Sequence, residues 1–172
     1  MKRAAMVITL AVLGAGVGYV QAATGKAVIK GTTAGSTVSG AATLTETPSG
    51  LQLSVQVAGM PPGQHGIHIH EVGACGDAGK AAGAHFNPDK APHGFLPTDG
   101  PAKAHAGDTG NIIVNADGKG NLQLLISGLT LTNGPHAVAG RAIILHEKPD
   151  DFSQPAGNAG GRIGCGVIEV AH

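Results

Sequence analysis

From residue 23 onward the chain breaks into short runs in which apolar and polar residues alternate, separated by Gly, Pro, Asn and Asp. Leu51-Gln52-Leu53-Ser54-Val55-Gln56-Val57 is the cleanest. A period of two puts Leu51, Leu53, Val55 and Val57 on one face, which predicts a half-buried strand. Similar runs occupy residues 26–30, 42–47, 66–71, 112–115, 121–126, 142–145 and 162–170, about eight predicted strands in all. Too few residues carry helical runs to form a bundle, so the pattern predicts an all-β antiparallel sandwich or barrel. Alternation stops between residues 72 and 110, where Gly, Pro, Ala and His dominate, and a second irregular stretch runs from 147 to 161. A loop as long as the first, inside a compact domain, is either functional or disordered. No repeat or linker divides the chain.

The first 22 residues read differently. Met1, Lys2 and Arg3 form a positive start, residues 4–20 are uncharged and mostly apolar, and Val20-Gln21-Ala22 offers small residues for a signal peptidase. A membrane anchor is the competing reading. The 17-residue run only just reaches spanning length, holds Gly14, Gly16 and Gly18, and has no stop-transfer flank. The expectation is therefore a signal peptide at 1–22, one domain at 23–172, no membrane anchor, and a periplasmic or secreted location. Eleven basic residues balance eleven acidic ones, and losing Lys2 and Arg3 leaves nine against eleven. No concentrated positive face is visible, so a polybasic nucleic-acid binder is excluded. Export also bears on Cys75 and Cys165, the only two cysteines: in an oxidising compartment a lone pair is more often a disulfide than a metal site. Two free thiols or soft copper ligands are the alternatives.

Nine histidines are the compositional anomaly. In Gly66-Ile67-His68-Ile69-His70 the two imidazoles project from the same strand face, a pair that suits a transition metal and that also occurs by chance on solvated strands. The long irregular stretch carries His85, His93, His105 and Asp108. Three imidazoles and a carboxylate make a closed tetrahedral zinc set, whereas the competing reading is a flexible loop that binds nothing specific. His146 adds a further imidazole at a strand end. Competing motifs fail: Gly79-Lys80 lacks a phosphate-loop frame, and there is no Gly-x-Ser-x-Gly, no His-Glu-x-x-His and no thiolate quartet. A cupin would place its glutamate several residues after His-x-His, and here Glu71 follows at once.

Five segments in order resemble the copper/zinc superoxide dismutases. They are Gly66-Ile67-His68-Ile69-His70-Glu71, Gly83-Ala84-His85-Phe86-Asn87-Pro88, His105-Ala106-Gly107-Asp108-Thr109-Gly110-Asn111, His146-Glu147-Lys148-Pro149-Asp150-Asp151, and the run from Gly157 through Arg162 to Ile168. The resemblance is closest to the bacterial exported type and spans most of the mature chain. It implies an eight-stranded Greek-key β-barrel, flattened like an immunoglobulin sandwich, with long metal-binding and electrostatic loops. It implies copper on His68, His70, His85 and His146, and zinc on His85, His93, His105 and Asp108, one of each metal per subunit. His85 then serves both metals as a bridging imidazolate. Asp150 matches a carboxylate that joins a copper ligand, His68 or His70, to His93. His65 matches a structural histidine beside the copper-side backbone, Arg162 the arginine that attracts the anion, and Cys75 with Cys165 the family disulfide.

The implied activity is dismutation of superoxide to dioxygen and hydrogen peroxide by alternate reduction and reoxidation of copper, with His85 releasing copper, taking a proton and giving it up to peroxide. The substrate is a small anion meeting a slightly negative protein, so steering falls to Arg162, with Lys148 as a second candidate. Ala156 stands where many relatives place a threonine at the channel mouth. The runner-up is an exported copper-binding or copper-delivery protein on the same fold. A metal-dependent hydrolase would need an open zinc position and a general base. Monomer and homodimer both stay open, and His136 and His172 carry no expected role.

Overall fold

The computed structural model describes residues 22–171. The leader expected at 1–22 lies, Ala22 apart, outside the described residues, as does His172. Nine strands follow: β1 (Thr24–Gly31), β2 (Ser39–Thr47), β3 (Gly50–Ala58), β4 (Gly63–His70), β5 (Asp108–Val114), β6 (Gly120–Ile126), β7 (Ala142–His146), β8 (Arg162–Val167) and β9 (Glu169–Val170). Every pairing is antiparallel, in the order β2-β3-β6-β5-β4-β7-β8-β1, and β1 closes the circuit on β2. Eight strands thus form a closed barrel without free edges, and β9 adds a short extra pairing to β1. In sequence β3 is followed by β4, whereas in the sheet it lies beside β6. That crossover and the one from β6 to β7 make the Greek-key path.

The period-two reading places the core. Leu51, Leu53, Val55 and Val57 all point into the barrel, where Ile29, Leu44, Ile67, Ile69, Ile112, Ile126, Ile143 and Leu145 meet them. Each such side chain, fully withdrawn from water, contributes about 1.5–3 kcal/mol. The core is aliphatic because the chain has no Trp, one Tyr and three Phe.

Strand β4 departs from simple alternation, being buried on both faces from His65 to His70. Ile67 and Ile69 face the barrel interior, while His68 and His70, paired with Ile144 and Ala142 of β7, face outward. The long loop covers that outer face. Ala82, Ala142, Ile144 and Cys165 form a second small apolar cluster there, with Cys75 packed against it. Cys75 and Cys165 are joined in a disulfide with Cα atoms 5.7 Å apart, and there is no free cysteine among the described residues. The loop is not structureless: it contains a 3-10 turn at Lys80–Ala82 and a short helix α1 at Leu96–Asp99, and it sends Phe86, Leu96, Ala104 and Ala106 into the main core.

Two expected strands are corrected. The run read as 162–170 is broken at Ile168, whose side chain is fully buried and whose backbone bonds Arg141 and Gly140 instead of continuing the ladder. β5 begins at Asp108, four residues before the expected start. Asp108 pairs with His68 across a bulge, and the polar Asp108-Thr109-Gly110-Asn111 run carries no alternation that would announce a strand.

Candidate metal centre

Three elements converge on the outer face of β4. His68 and His70 come from β4 itself, and His146 from the last residue of β7, next to a shift in its register with β8. The long loop turns back antiparallel along the end of β4, through Glu71 N–H to Ala84 C=O at 2.9 Å and Val72 N–H to Ala82 C=O at 3.0 Å, and this places His85 opposite His70. Ring centroids lie 4.1 Å apart for His68 and His85, 4.9 Å for His70 and His85, and 5.0 Å for His68 and His146. One ligand atom from each of the four rings falls within 4.8 Å of every other.

The nitrogens of these rings divide into two kinds. His68 Nε2 lies 2.8 Å from Asp150 Oδ2, His70 Nδ1 donates to Gly83 C=O at 3.0 Å, and His146 Nδ1 points to Gly160 C=O at 3.4 Å. An acceptor on one nitrogen fixes the tautomer and leaves a lone pair on the other. Those other atoms, His68 Nδ1, His70 Nε2 and His146 Nε2, are buried and have no hydrogen-bond partner. Buried polar atoms are nearly always paired, so three orphaned nitrogens facing one point fit a shared cation. Burial, reinforced by neighbouring imidazoles, lowers His70 to about 2, His85 to about 4 and His146 to about 3, so these rings are neutral donors at ordinary pH.

A second quartet adjoins the first. His85, His93, His105 and Asp108 also bring one ligand atom each within 4.8 Å of the others. His85 Nδ1 is 2.8 Å and His105 Nδ1 3.1 Å from Asp108 Oδ1, and His93 Nδ1 is 2.9 Å from Asp108 Oδ2. The His93 contact lacks hydrogen-bond alignment, and His93 Nδ1 is itself orphaned. Nitrogen and oxygen donors crowded this closely, one of them without a hydrogen bond, are what ligands of one tetrahedral ion present, with an edge of about 3.3 Å for bonds near 2.0 Å. Asp108 is held in place by the N–H groups of Gly94 at 3.0 Å and His105 at 2.9 Å. Burial opposes the Asp108 anion, but His105, His85, His93 and Gly94 outweigh it and hold the carboxyl far below its usual range.

Asp150 ties the quartets together. Its Oδ2 meets His68 Nε2 at 2.8 Å and its Oδ1 meets His93 Nε2 at 2.9 Å, so of the two partners left open by the sequence, it is His68 and not His70 that Asp150 reaches. His65 is buried between two carbonyls, His146 C=O at 2.9 Å and Pro61 C=O at 2.8 Å, and braces the His146 backbone. Arg162 is half-buried, with Nη1 donating to Gly79 C=O at 2.8 Å and Nη2 to Gly83 C=O at 2.6 Å. It shares with His70, His85 and His146 the wall of a solvent-open cleft whose rim includes Glu71, Asn87, Ala156 and Asn158. Lys148 is exposed and lies outside that wall, its side chain running along Gly160.

Several supporting residues escaped sequence reasoning. Asn111 grips the Asp150 backbone at both ends, Nδ2 to C=O at 3.0 Å and Oδ1 to N–H at 2.7 Å. Gln154 does the same to His93, and Phe152 stacks on the His93 ring. Asn111 sits inside a recognised motif, but nothing marks its amide as a clamp. The other two sit in the second irregular stretch, where no periodicity singles out any side chain.

Comparison with known proteins agrees with this geometry. The family model described as copper/zinc superoxide dismutase (SODC) matches residues 38–168. Among solved structures, one titled as the crystal structure analysis of the clock protein EA4 is 35% identical, with a TM-score of 0.78 over 90% of this chain and 98% of that one. The match takes in β2 to β8 and both histidine quartets, and the chain belongs to the copper/zinc superoxide dismutase family.

Proposed function

We propose that this protein dismutes superoxide, with His68, His70, His85 and His146 holding copper and His85, His93, His105 and Asp108 holding zinc. The observation that carries the reading is the place of His85. It belongs to both quartets: Nδ1 is turned to Asp108, which leaves Nε2 for the other three rings. When bound, copper supplies one-electron chemistry, accepting an electron from one superoxide and returning it to the next, and zinc supplies fixed positive charge beside His85. The balance is two superoxide anions and two protons giving dioxygen and hydrogen peroxide.

The residues divide the remaining work. Arg162, held by two carbonyls at the cleft wall, attracts the anion and orients it towards the imidazoles. His85 carries a proton at Nε2 to the peroxide product, and the open cleft admits the second from solvent. Asp150 keeps the His68 and His93 rings in one orientation, so that the donors need not reorganise between the two half-reactions. Glu71 on the rim repels anions from the outer wall and favours approach along the Arg162 side.

Residues 1–22 are proposed to direct export and to be removed, leaving a periplasmic or secreted enzyme in which the Cys75–Cys165 disulfide is retained. The deciding experiment follows superoxide decay with the mature chain loaded with copper and zinc, EDTA present to suppress free copper, and His146→Ala as control. Catalytic loss of superoxide absent from the control supports the enzyme. Tight binding of both metals without turnover replaces it with an exported copper-handling protein.

A further inference from the structure

The second irregular stretch grips one zinc-side residue repeatedly. Asp150, Phe152 and Gln154, alternate residues of one segment, all reach His93. Asp150 meets ring Nε2 at 2.9 Å. The Phe152 ring lies nearly parallel to the His93 ring, 20° between planes and 6.5 Å between centroids. The Gln154 side-chain amide pairs with the His93 backbone at two points, accepting its N–H on Oε1 at 2.9 Å and donating from Nε2 to its C=O at 2.8 Å. Asp150 is the family's known link; the contacts of Phe152 and Gln154 are additional to it.

Phe152 is held there against its own preference. Its φ of 59° lies in the left-handed region, which bulky residues avoid, and the residue stays 43% exposed, so burial alone does not account for the arrangement. The Phe152 N–H donates to Asp150 Oδ1 at 2.8 Å and fixes the turn. The ring also meets Phe95 at 6.1 Å, and Phe95 packs directly over Gly110, two residues beyond Asp108. The same segment thereby spans from one end of the zinc quartet towards the other.

We propose that residues 150–154 form a strap over His93, in which Gln154 and Phe152 are positioning residues that set how fast zinc leaves. The inference rests on the assignment of the His85, His93, His105 and Asp108 quartet to zinc. Gln154 fixes where the His93 backbone sits and Phe152 fixes the tilt of its ring, so Nδ1 stays aimed at the other donors while the ion is bound. Loss of either contact lets His93 swing out, opening one of four bonds and giving a chelator its entry.

The test loads the full mature chain and its Gln154→Ala, Gln154→Glu, Phe152→Leu and Phe152→Tyr variants with copper and zinc. It then follows zinc transfer to a chromophoric chelator. In parallel, Co(II) replaces zinc and its ligand-field spectrum is recorded. Gln154→Ala and Phe152→Leu should release zinc about tenfold faster or more, the usual effect of removing a group that orients a ligand. Gln154→Glu keeps the acceptor and loses the donor, so it should fall between, and Phe152→Tyr should retain the wild-type rate. The Co(II) bands should shift in the fast variants, a change that a fall in general stability does not produce. Wild-type release and spectra in Gln154→Glu and Phe152→Leu overturn the strap alone. A wild-type chain that takes up no zinc and gives no tetrahedral Co(II) bands overturns the quartet's assignment, and the strap with it.

Discussion

Asp150 shows how much a single carboxylate decides here. Two imidazoles from different quartets rely on its two oxygens for their tautomers, and burial would neutralise it if His68, His93 and the Phe152 N–H did not hold its pKa well below the usual range. Asp150→Asn replaces one acceptor by a donor, which then faces a ring N–H. Metal retention should fall about 10- to 100-fold, read by competition with a chelator. Gly157→Ala should imitate it by displacing the carboxylate without changing its chemistry. A Cβ there would stand 1.8 Å from Asp150 Oδ1 and 2.7 Å from His93 Nε2, on a backbone with φ of 73°. If Gly157→Ala binds metal as tightly as wild type, the carboxylate link is not what holds His93. Arg162→Ala should lower kcat/KM about tenfold or more and flatten its dependence on ionic strength, because local attraction of an anion is screened by salt. Equal salt dependence in both proteins would remove Arg162 from steering. The members of both quartets were legible in the sequence, all but His93 inside a recognised motif and His93 as an imidazole of the long irregular stretch. The two clamps were not, because the amides of Asn111 and Gln154 act on the backbones of residues 39 and 61 positions away, and spacing carries no trace of that.

At the scale of elements, legibility followed periodicity. β1 and β3 alternate cleanly, and β4 and β7, buried on both faces, were still marked by their apolar residues; β5 was found late and β8 ran long, because Asp108-Thr109-Gly110-Asn111 and Ile168 obey pairing and packing demands outside period two. The turn at Lys80–Ala82 and helix α1 were invisible, being too short for a helical period and embedded in Gly, Ala and Pro. What orders this loop is the disulfide together with the core residues it contributes. Cys75→Ser removes a cross-link across 90 positions, worth about 4–5 kcal/mol in the chain-entropy account. It also frees the segment whose Gly79 and Gly83 carbonyls hold Arg162. The variant should therefore lose both denaturant resistance and kcat/KM, the latter by less than Arg162→Ala does, since the guanidinium is still present. Urea midpoints and turnover on one preparation test this, and a stability loss with unchanged turnover would uncouple the staple from the arginine.

The whole molecule concentrates ionisable groups in one buried place, and its metal-free stability must register that. His70, His85 and His146 have folded values of about 2, 4 and 3 against 6.5 when exposed, primarily because they are buried. Below pH 6.5 the unfolded chain takes up protons that the folded one refuses. Stability therefore falls as pH drops, by about 1.4 kcal/mol per pH unit for each such group until its folded value is reached. His93 works in the opposite sense. Burial disfavours its cation, but Asp108 and Asp150 overcome this and raise it to about 9, so it favours the folded state fully below pH 6.5 and loses that contribution as pH rises to 9. Asp108 and Asp150, both lowered, keep their contribution throughout this range and lose it only in stronger acid. The opposing slopes meet near pH 6.5, where the metal-free protein should be most stable, with a steeper acid limb because three rings act there against one on the alkaline side. Urea midpoints of chelator-treated protein at pH 5, 6.5 and 9 measure the curve. Loading zinc should remove the alkaline limb, because His93 must give up its proton to bind and then has none to lose between pH 6.5 and 9. An alkaline limb that persists in the zinc-loaded protein would mean that His93 is not a ligand.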